Sequence, residues 1–540
     1  MTVFGTRNQR TRTILLIGLL SIFFSTLGCD SKKEEEEGGP PPPPKRDDVK
    51  QEATGNGADP GEAPPAPGGD LPAANAGNPQ APKGIWTDAI PLDQASSQGA
   101  DYTDIASDSA GNGIAVWREK RTVPARGLQF QVVANRYTVG SGWSGPEVIA
   151  NPALGDIPEP GPKIAMDANG NAFVVWSEKS GTQFHIRGRR YLKSSGRWEP
   201  AFTINQNVPS DDRWVDLNAT YPKISMEPSG NRAVVVWNME GLNKCPRGQV
   251  DCRTRTSYGL RARVFKERGW EDTQFVSPTS MDPIRDASIV VHDGKALVIW
   301  SQSNPNARPG DRDNDPDKIR RLWYSSYHGT RWGLGEPEMI DTTNAESPKI
   351  VMDSQWSGLV TWQEKDLATG KHTLKARRFS GFGGGFAGIR QLSEPAVDVL
   401  RSDTVMILSP VSQFMILWTQ KSGADGISQV MNSTCPFGAL CTGPVSFPYR
   451  PANARSPMMT VDQGGNLLAV WHEVLEGGAG SNIISRRYEA TNGWGEVIPL
   501  TDNPAQRPVW PKIATDTEGH TILIWEQRVG DHRIWARRFE

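Results

Sequence analysis

The sequence predicts an all-β fold: an eight-bladed β-propeller of four-stranded antiparallel blades, closed by the N-terminal strand joining the C-terminal blade. Three observations lead there. An apolar run ending in tryptophan recurs eight times, at Trp117, Trp176, Trp237, Trp300, Trp362, Trp418, Trp471 and Trp525. The spacings are 59, 61, 63, 62, 56, 53 and 54 residues, a period that marks a repeat architecture rather than a row of unrelated domains. Each repeat carries four strand signals, and the last repeat lacks the fourth.

The first strand, a, follows the pattern Pro162-Lys163-Ile164-Ala165-Met166-Asp167, and Pro-Lys-Ile returns at Pro222, Pro348 and Pro511. A turn of the type Asp-x-x-Gly-Asn follows, at Asp108–Asn112, Asp167–Asn171 and Asp462–Asn466. There the aspartate accepts N–H groups further along the turn and glycine supplies a positive φ. The repeats at Asp353 and Pro410 have lost this motif. Strand b, such as Ala172–Trp176, is apolar at every position, as a strand covered on both faces must be. Strand c carries Arg-Arg-aromatic, as in Arg189-Arg190-Tyr191, Arg486-Arg487-Tyr488 and Arg537-Arg538-Phe539. Strand d follows Gly-Trp, as at Gly142-Trp143, Gly269-Trp270 and Gly493-Trp494.

The final repeat reaches Glu540 directly after strand c. The orphan segment Trp86-Thr87-Asp88-Ala89-Ile90-Pro91-Leu92 resembles the strand d Trp494-Gly495-Glu496-Val497-Ile498-Pro499-Leu500. It is expected to complete the last blade, which leaves no raw sheet edge at the junction.

Ahead of the repeats, residues 1–28 read as an export signal. Arg7, Arg10 and Arg12 precede the apolar run Ile14–Leu27, which at 14 residues is too short to cross a bilayer. Thr26-Leu27-Gly28-Cys29 resembles the bacterial lipobox. That resemblance implies an acylated, palmitate-bearing Cys29 as the mature N-terminus, and several acyl chains anchor stably where one does not. Asp30 after the cysteine resembles an inner-membrane retention signal of enteric bacteria. Residues 29–83 hold Lys32-Lys33, Glu34 to Glu37, five prolines from Pro40 to Pro44, and then Ala, Gly, Pro and Asn. This composition cannot bury a core and reads as a disordered tether. The propeller is assigned to 84–540. The expected location is the bacterial envelope, membrane-anchored, facing the periplasm or the cell surface.

The repeats, an Asp-x-x-Gly turn followed by an apolar run to tryptophan, resemble the Asp-box repeats of sialidase-like propellers. They also resemble the repeats of quinoprotein-type propellers, including the propeller lipoprotein of the outer-membrane assembly machinery. The spacing and the serine of the Asp-box, Ser-x-Asp-x-Gly-x-x-Trp, are not reproduced, so the resemblance supports the fold and transfers no chemistry.

Lysine plus arginine is 59 and aspartate plus glutamate is 61, a balance without the basic excess of a nucleic-acid binder. With Cys29 assigned to lipid, the remaining cysteines form two close pairs, Cys245 with Cys252 and Cys435 with Cys441. In an oxidising compartment these read as short-range disulfides. The rival arrangement is a four-cysteine zinc site drawing on opposite sides of the ring.

The b–c and d–a connections share one face of a propeller. From the strand-b tryptophan to the strand-c aromatic the chain takes 20, 15, 28, 27 and 17 residues in repeats one to five. The long connections of repeats three and four nominate that face for binding. The third connection holds Cys245 and Cys252. The fourth holds Asp311, Asp313, Asp315 and Asp317 at alternate positions, a carboxylate set suited to Ca²⁺ or simply to solvation, though the EF-hand order is not met. No cofactor is expected, with Ca²⁺ on this loop the one possibility carried forward.

An acidic or amide residue stands two positions after most of the tryptophans: Glu119, Glu178, Gln302, Glu364, Gln420, Glu473 and Gln527. Repetition favours a structural role, pairing with the strand-c arginine, over a catalytic ring. No zinc-hydrolase, nucleophile-elbow or phosphate-loop motif is present, and no catalytic residue is assigned. The expected function is a lipid-anchored, non-enzymatic binding or scaffold module for a protein or glycan. The alternatives are a carbohydrate-active enzyme of sialidase or lyase type and an outer-membrane assembly factor.

Overall fold

The structure is a computed structural model. It describes residues 84–540 except 95–97, 126, 151–155, 159, 207–213, 244–254, 268, 280–282, 304–319, 334–337, 341–343, 381–384, 396, 408–411, 422–425 and 448–452. Cys29, Cys245, Cys252 and the four aspartates Asp311, Asp313, Asp315 and Asp317 lie outside the described residues.

Eight antiparallel sheets follow one another along the chain, each built on a four-strand path a-b-c-d, and the described residues contain no α-helix. The protein is an eight-bladed β-propeller. The eight a strands contact one another in succession, and the last, Val509–Thr515, returns to the first, Ala100–Ser107. The circle is therefore closed, with strand a innermost.

The eighth sheet takes its fourth strand from the other end of the chain. Ile90 pairs with Ala536 and Pro91 with Trp535, and Trp86 bridges Phe539. The Glu540 N–H donates to the Ile85 carbonyl at 2.9 Å, and the Ile85 N–H donates back at 3.1 Å. Leu92 N–H donates to Ile534 O at 2.8 Å. Such pairing removes the open edge at which propellers are most exposed to fraying.

The eight tryptophans of strand b are fully buried, and each packs on the preceding blade. Trp176 lies against Ile114 and Val116, Trp300 against Val234 and Val236, and Trp525 against Leu468 and Val470. Trp117 of the first blade completes the circle by packing on Ile522, Ile524 and Ile534 of the eighth. A continuous apolar strand b is thus the sequence expression of a sheet sandwiched between two others.

The a–b turns interlock around the opposite face. Asp108 Oδ1 accepts the N–H groups of Ala110 and Asn112 at 3.0 and 2.8 Å, and Asp167 repeats the pattern with Asn169 and Asn171. Gly170 has φ +86°, and a Cβ there would stand 2.8 Å from Asp108 Oδ2 of the previous turn. Glycine is needed for both reasons. The repeat at Asp353 has lost the sequence motif and keeps the turn. Asp353 Oδ1 accepts from Gln355 and Ser357 at 2.9 and 2.8 Å, and Trp356 occupies the left-handed position at φ 62°. The aspartate, rather than the glycine, carries the turn.

Cys435 and Cys441 form a disulfide. It joins the end of the sixth strand c, Ser428–Pro436, to the approach to strand d, Val445–Ser446, so it staples a turn on the face away from the b–c connections.

Candidate functional site

The acid and amide residues that follow the tryptophans are engaged in the core, most of them by the indole itself. The indole Nε1 donates to the residue two positions on: Trp176 to Glu178 at 3.0 Å, Trp300 to Gln302 at 3.1 Å and Trp418 to Gln420 at 2.7 Å. The same bond links Trp471 to Glu473 at 3.0 Å and Trp525 to Gln527 at 2.8 Å. The expected pairing with a strand-c cation is present as well in two blades, where Arg187 Nε lies 3.8 Å from Glu178 Oε1 and Lys375 Nζ pairs with Glu364 Oε1. A buried indole N–H needs an acceptor, and a side chain two residues along the strand lies on the same face. Glu119 also accepts from Gln131 at 3.0 Å, and burial holds its carboxyl above the usual range against these hydrogen bonds. Other strand-c arginines tie blade to blade through carbonyls. Arg189 reaches Glu199 O at 2.7 Å and Ile149 O of the previous blade at 3.1 Å, and Arg263 does the same with Glu271 O and Ile204 O.

Functional character concentrates instead on the axis. The residue paired with the position just before each tryptophan lies at one level on all eight a strands. These pairs are Asp104↔Val116, Lys163↔Val175, Lys223↔Val236 and Ser288↔Ile299. Lys349↔Thr361, Asp403↔Leu417, Met458↔Val470 and Lys512↔Ile524 complete the ring. The lysine of each Pro-Lys-Ile motif therefore enters one axial ring with two aspartates. Their charges share one space: the Lys223 ammonium feels Lys163, Lys349, Lys512 and Asp104, from four other blades. Confinement among protein atoms, reinforced by the neighbouring ammoniums, pushes Lys223 down to about 7 and Lys512 down to about 8. Burial raises Asp403, opposed by Lys349 and Lys512. Lys163 lies 4.0 Å from Asp104.

Just before this ring strand a bulges in six of the eight blades, and in the sixth blade the irregularity lies earlier, between Val399 and Arg401. Tyr102, Tyr221 and Trp510 occupy the bulge in the left-handed region, at φ 54°, 56° and 52°. A bulky residue there is a backbone outlier that the surrounding structure must hold in place. Gly161 fills the second blade's equivalent position, and a Cβ on it would stand 2.5 Å from the Tyr102 Cβ. Tyr221 and Trp510 are about half exposed, at 52% and 48%. Each a strand runs from the d–a connection toward the a–b turn, so the bulges rim the channel on the b–c face and the lysines lie deeper.

That face is also where the blades differ most. In the third blade strands b and c, Arg232–Asn243 and Arg255–Lys266, stay paired over their whole length. The first blade extends likewise, with pairing out to Val123↔Gly127. Part of the chain counted as connection in the sequence is thus projecting hairpin. Among the described residues no group of three or more metal-binding side chains converges. An apolar cleft of about 360 Å³, lined by Phe379, Phe386, Phe414 and Phe437, opens on the opposite face.

Sequence reasoning recognised Pro-Lys-Ile as a repeat marker but missed the lysine ring. The signal was present, since a charged residue inside an otherwise apolar strand pattern is out of place in a buried strand. The left-handed aromatics carried no sequence signal.

No family model matches the chain, and no curated protein matches it. Among solved structures the chain is similar to a PL25 ulvan lyase, with 10% identity over 84% of this chain and 95% of that one, TM-score 0.44. It is also similar to the β-propeller domain of the Trilobed protease from Pyrococcus furiosus, with 10% identity over 76% and 98%, TM-score 0.38. A third is Trypanosoma rangeli sialidase in complex with sialic acid, with 9% identity over 85% of this chain and 59% of that one, TM-score 0.31. At these values the likenesses add nothing to the reading of the site.

Proposed function

We propose that this chain is an exported, lipid-anchored envelope protein whose propeller binds or scaffolds a protein or glycan on the face that carries the b–c connections, without catalysis. One observation carries the reading. The ring departs from its own symmetry on that face, where the third-blade hairpin projects and strained aromatic side chains open toward solvent. Binding groups on loops and rims of a rigid scaffold are the usual division of labour in repeat folds. The recurring carboxylates are engaged by indoles, which supports assigning them to structure.

The test is affinity capture from solubilised envelopes, with a glycan array beside it. The intact chain is compared with a variant in which the hairpin beyond Trp237 and Arg261 is shortened. A partner lost on shortening supports the reading, and a partner held equally by both variants moves binding elsewhere. Incorporation of labelled fatty acid, abolished by Cys29→Ser, tests the anchor.

A carbohydrate-active enzyme is the second reading, and one observation favours it. Glu526 is buried, its carboxyl is raised by burial and by Asp101, and its Oε1 accepts the Tyr102 N–H at 2.8 Å beside the channel mouth. A carboxyl whose pKa is raised is what glycosidic bond cleavage requires of its acid. Cleavage of model glycosides, lost in Glu526→Gln, replaces the binding reading with this one.

A further inference from the structure

We propose that the axial channel is a binding site for an anionic carbohydrate, whose acid groups sit on Lys163, Lys223, Lys349 and Lys512 while its sugar faces stack on Tyr221 and Trp510. The proposal rests on the reading that the propeller binds through its b–c face, and it names the ligand class for the mouth of that face.

The fold does not require these lysines. Ser288 and Met458 hold the same register position in the fourth and seventh blades, so a neutral side chain closes the ring equally well. Four ammoniums nonetheless converge with two carboxylates. Lys163 has Asp104 at 4.0 Å, whereas Lys223, Lys349 and Lys512 have no carboxylate within ion-pairing distance among the described residues. Like charges gathered in a confined channel repel, and the repulsion is relieved by a bound anion. The ring is thus an arrangement that costs stability in the empty protein and repays it on binding.

The second observation is independent of charge. Tyr221 stands two residues before Lys223 and Trp510 two residues before Lys512, both in left-handed backbone conformation and both about half exposed. Large aromatic surface held at an opening, at a backbone cost, is a feature of binding sites. An aromatic face above an ammonium suits a molecule with an apolar ring face and an acid group. A uronic acid or a sulfated sugar has both. Single-stranded nucleic acid also combines stacking with anionic groups, but the chain's 59 basic against 61 acidic residues give it no wider electrostatic footprint.

Titration calorimetry on the full chain tests this with four probes: trigalacturonate, a chondroitin sulfate tetrasaccharide, neutral maltotriose and sodium sulfate. At least one acidic oligosaccharide is expected to bind, at least ~10-fold more tightly than maltotriose or sulfate. Lys223→Gln combined with Lys512→Gln is expected to weaken it ~10-fold or more. Tyr221→Ala, at an exposed side chain, is expected to weaken it at least ~3-fold and keeps the test decisive if the lysine variant does not fold. Affinity is also expected to fall between about pH 6 and pH 9, as Lys512 and Lys223 lose their protons among Lys163, Lys349, Asp104, Asp403 and Arg401. Equal binding of maltotriose, sulfate binding as tightly as the acidic sugars, tighter binding of a ten-residue oligothymidylate, or no binding at all overturns the proposal. If no acidic sugar binds while hairpin shortening still abolishes envelope capture, the channel site fails and the reading of the face stands.

Discussion

Arg533 donates from Nε to Asp93 Oδ2 at 2.6 Å, and the Asp93 side chain is fully buried. The two residues stand 440 positions apart and join the first described strand to the last. Asp93 Oδ1 also accepts the Ile534 N–H at 3.3 Å. Burial still raises the Asp93 carboxyl above its ordinary range despite the guanidinium, so the pair's value is greatest in what its disruption leaves behind. Asp93→Ala takes the carboxylate from a partly buried guanidinium that keeps only the Asp93 carbonyl, at 3.2 Å, and is expected to cost about 1–3 kcal/mol. Asp93→Asn keeps one side-chain oxygen, which can still accept from the guanidinium, and is expected to cost clearly less. Urea denaturation of the two variants checks the order.

The tryptophans are equivalent in burial but not in hydrogen bonding. Trp176 donates to Glu178, whereas the Trp237 indole N–H has no partner among the described residues, because Met239 stands where other blades have an acid or amide. Trp176→Phe therefore removes the donor from a buried carboxylate, and Trp237→Phe removes none. The first substitution is expected to cost about 1–3 kcal/mol more than the second, read as a difference in denaturation midpoints.

Lys223 links stability to pH. Its folded pKa is lowered from 10.5 to about 7, so between these values the unfolded chain holds a proton that the folded chain has released. Stability from this group rises with pH across that window, and below about 7 the penalty of confining the charge is fully present. Lys223→Met removes the contribution. Its Tm is expected to exceed that of the natural chain at pH 6.5, with the gap narrowing by pH 9.5, as measured by scanning calorimetry. A gap that is constant with pH, or that widens, contradicts the assignment.

The Cys435–Cys441 disulfide closes a loop with a sequence separation of 6. Loop-closure entropy gives so short a link about 2 kcal/mol. Replacing both cysteines by alanine is expected to cost about that much, with faster amide exchange confined to the sixth blade. Exchange that quickens equally in all blades contradicts a local staple.

The architecture was legible because propeller physics writes itself into period and polarity. A strand hidden on both faces must be apolar throughout, and Ala172–Trp176 shows it. A ring must close, and Trp86–Leu92 advertised the missing strand. The site was less legible for a geometric reason. Lys163, Lys223, Lys349 and Lys512 lie far apart in sequence, and only the circle brings them to one axis. The role of Glu178 was half legible: a charged residue in a strand suggests a charged partner, and Arg187 stands 3.8 Å away, but the indole two residues back donates to it as well. The turn at Asp353 left no motif because Trp356 occupies a position that chemistry reserves for glycine. For the connections at 244–254 and 304–319, sequence length alone speaks.

Ring closure by the N-terminal strand underlies the axial channel, the continuous burial of the tryptophans and the choice of face. Thermal unfolding of a chain beginning at Gly84, set beside one beginning at Ser96, tests it most directly. The shorter chain loses the partners of Ala536, Ile534 and Arg533. It is expected to melt at a markedly lower temperature, with the eighth blade exchanging its amides first. Equal melting temperatures and equal cooperativity in the two chains would contradict the closed ring.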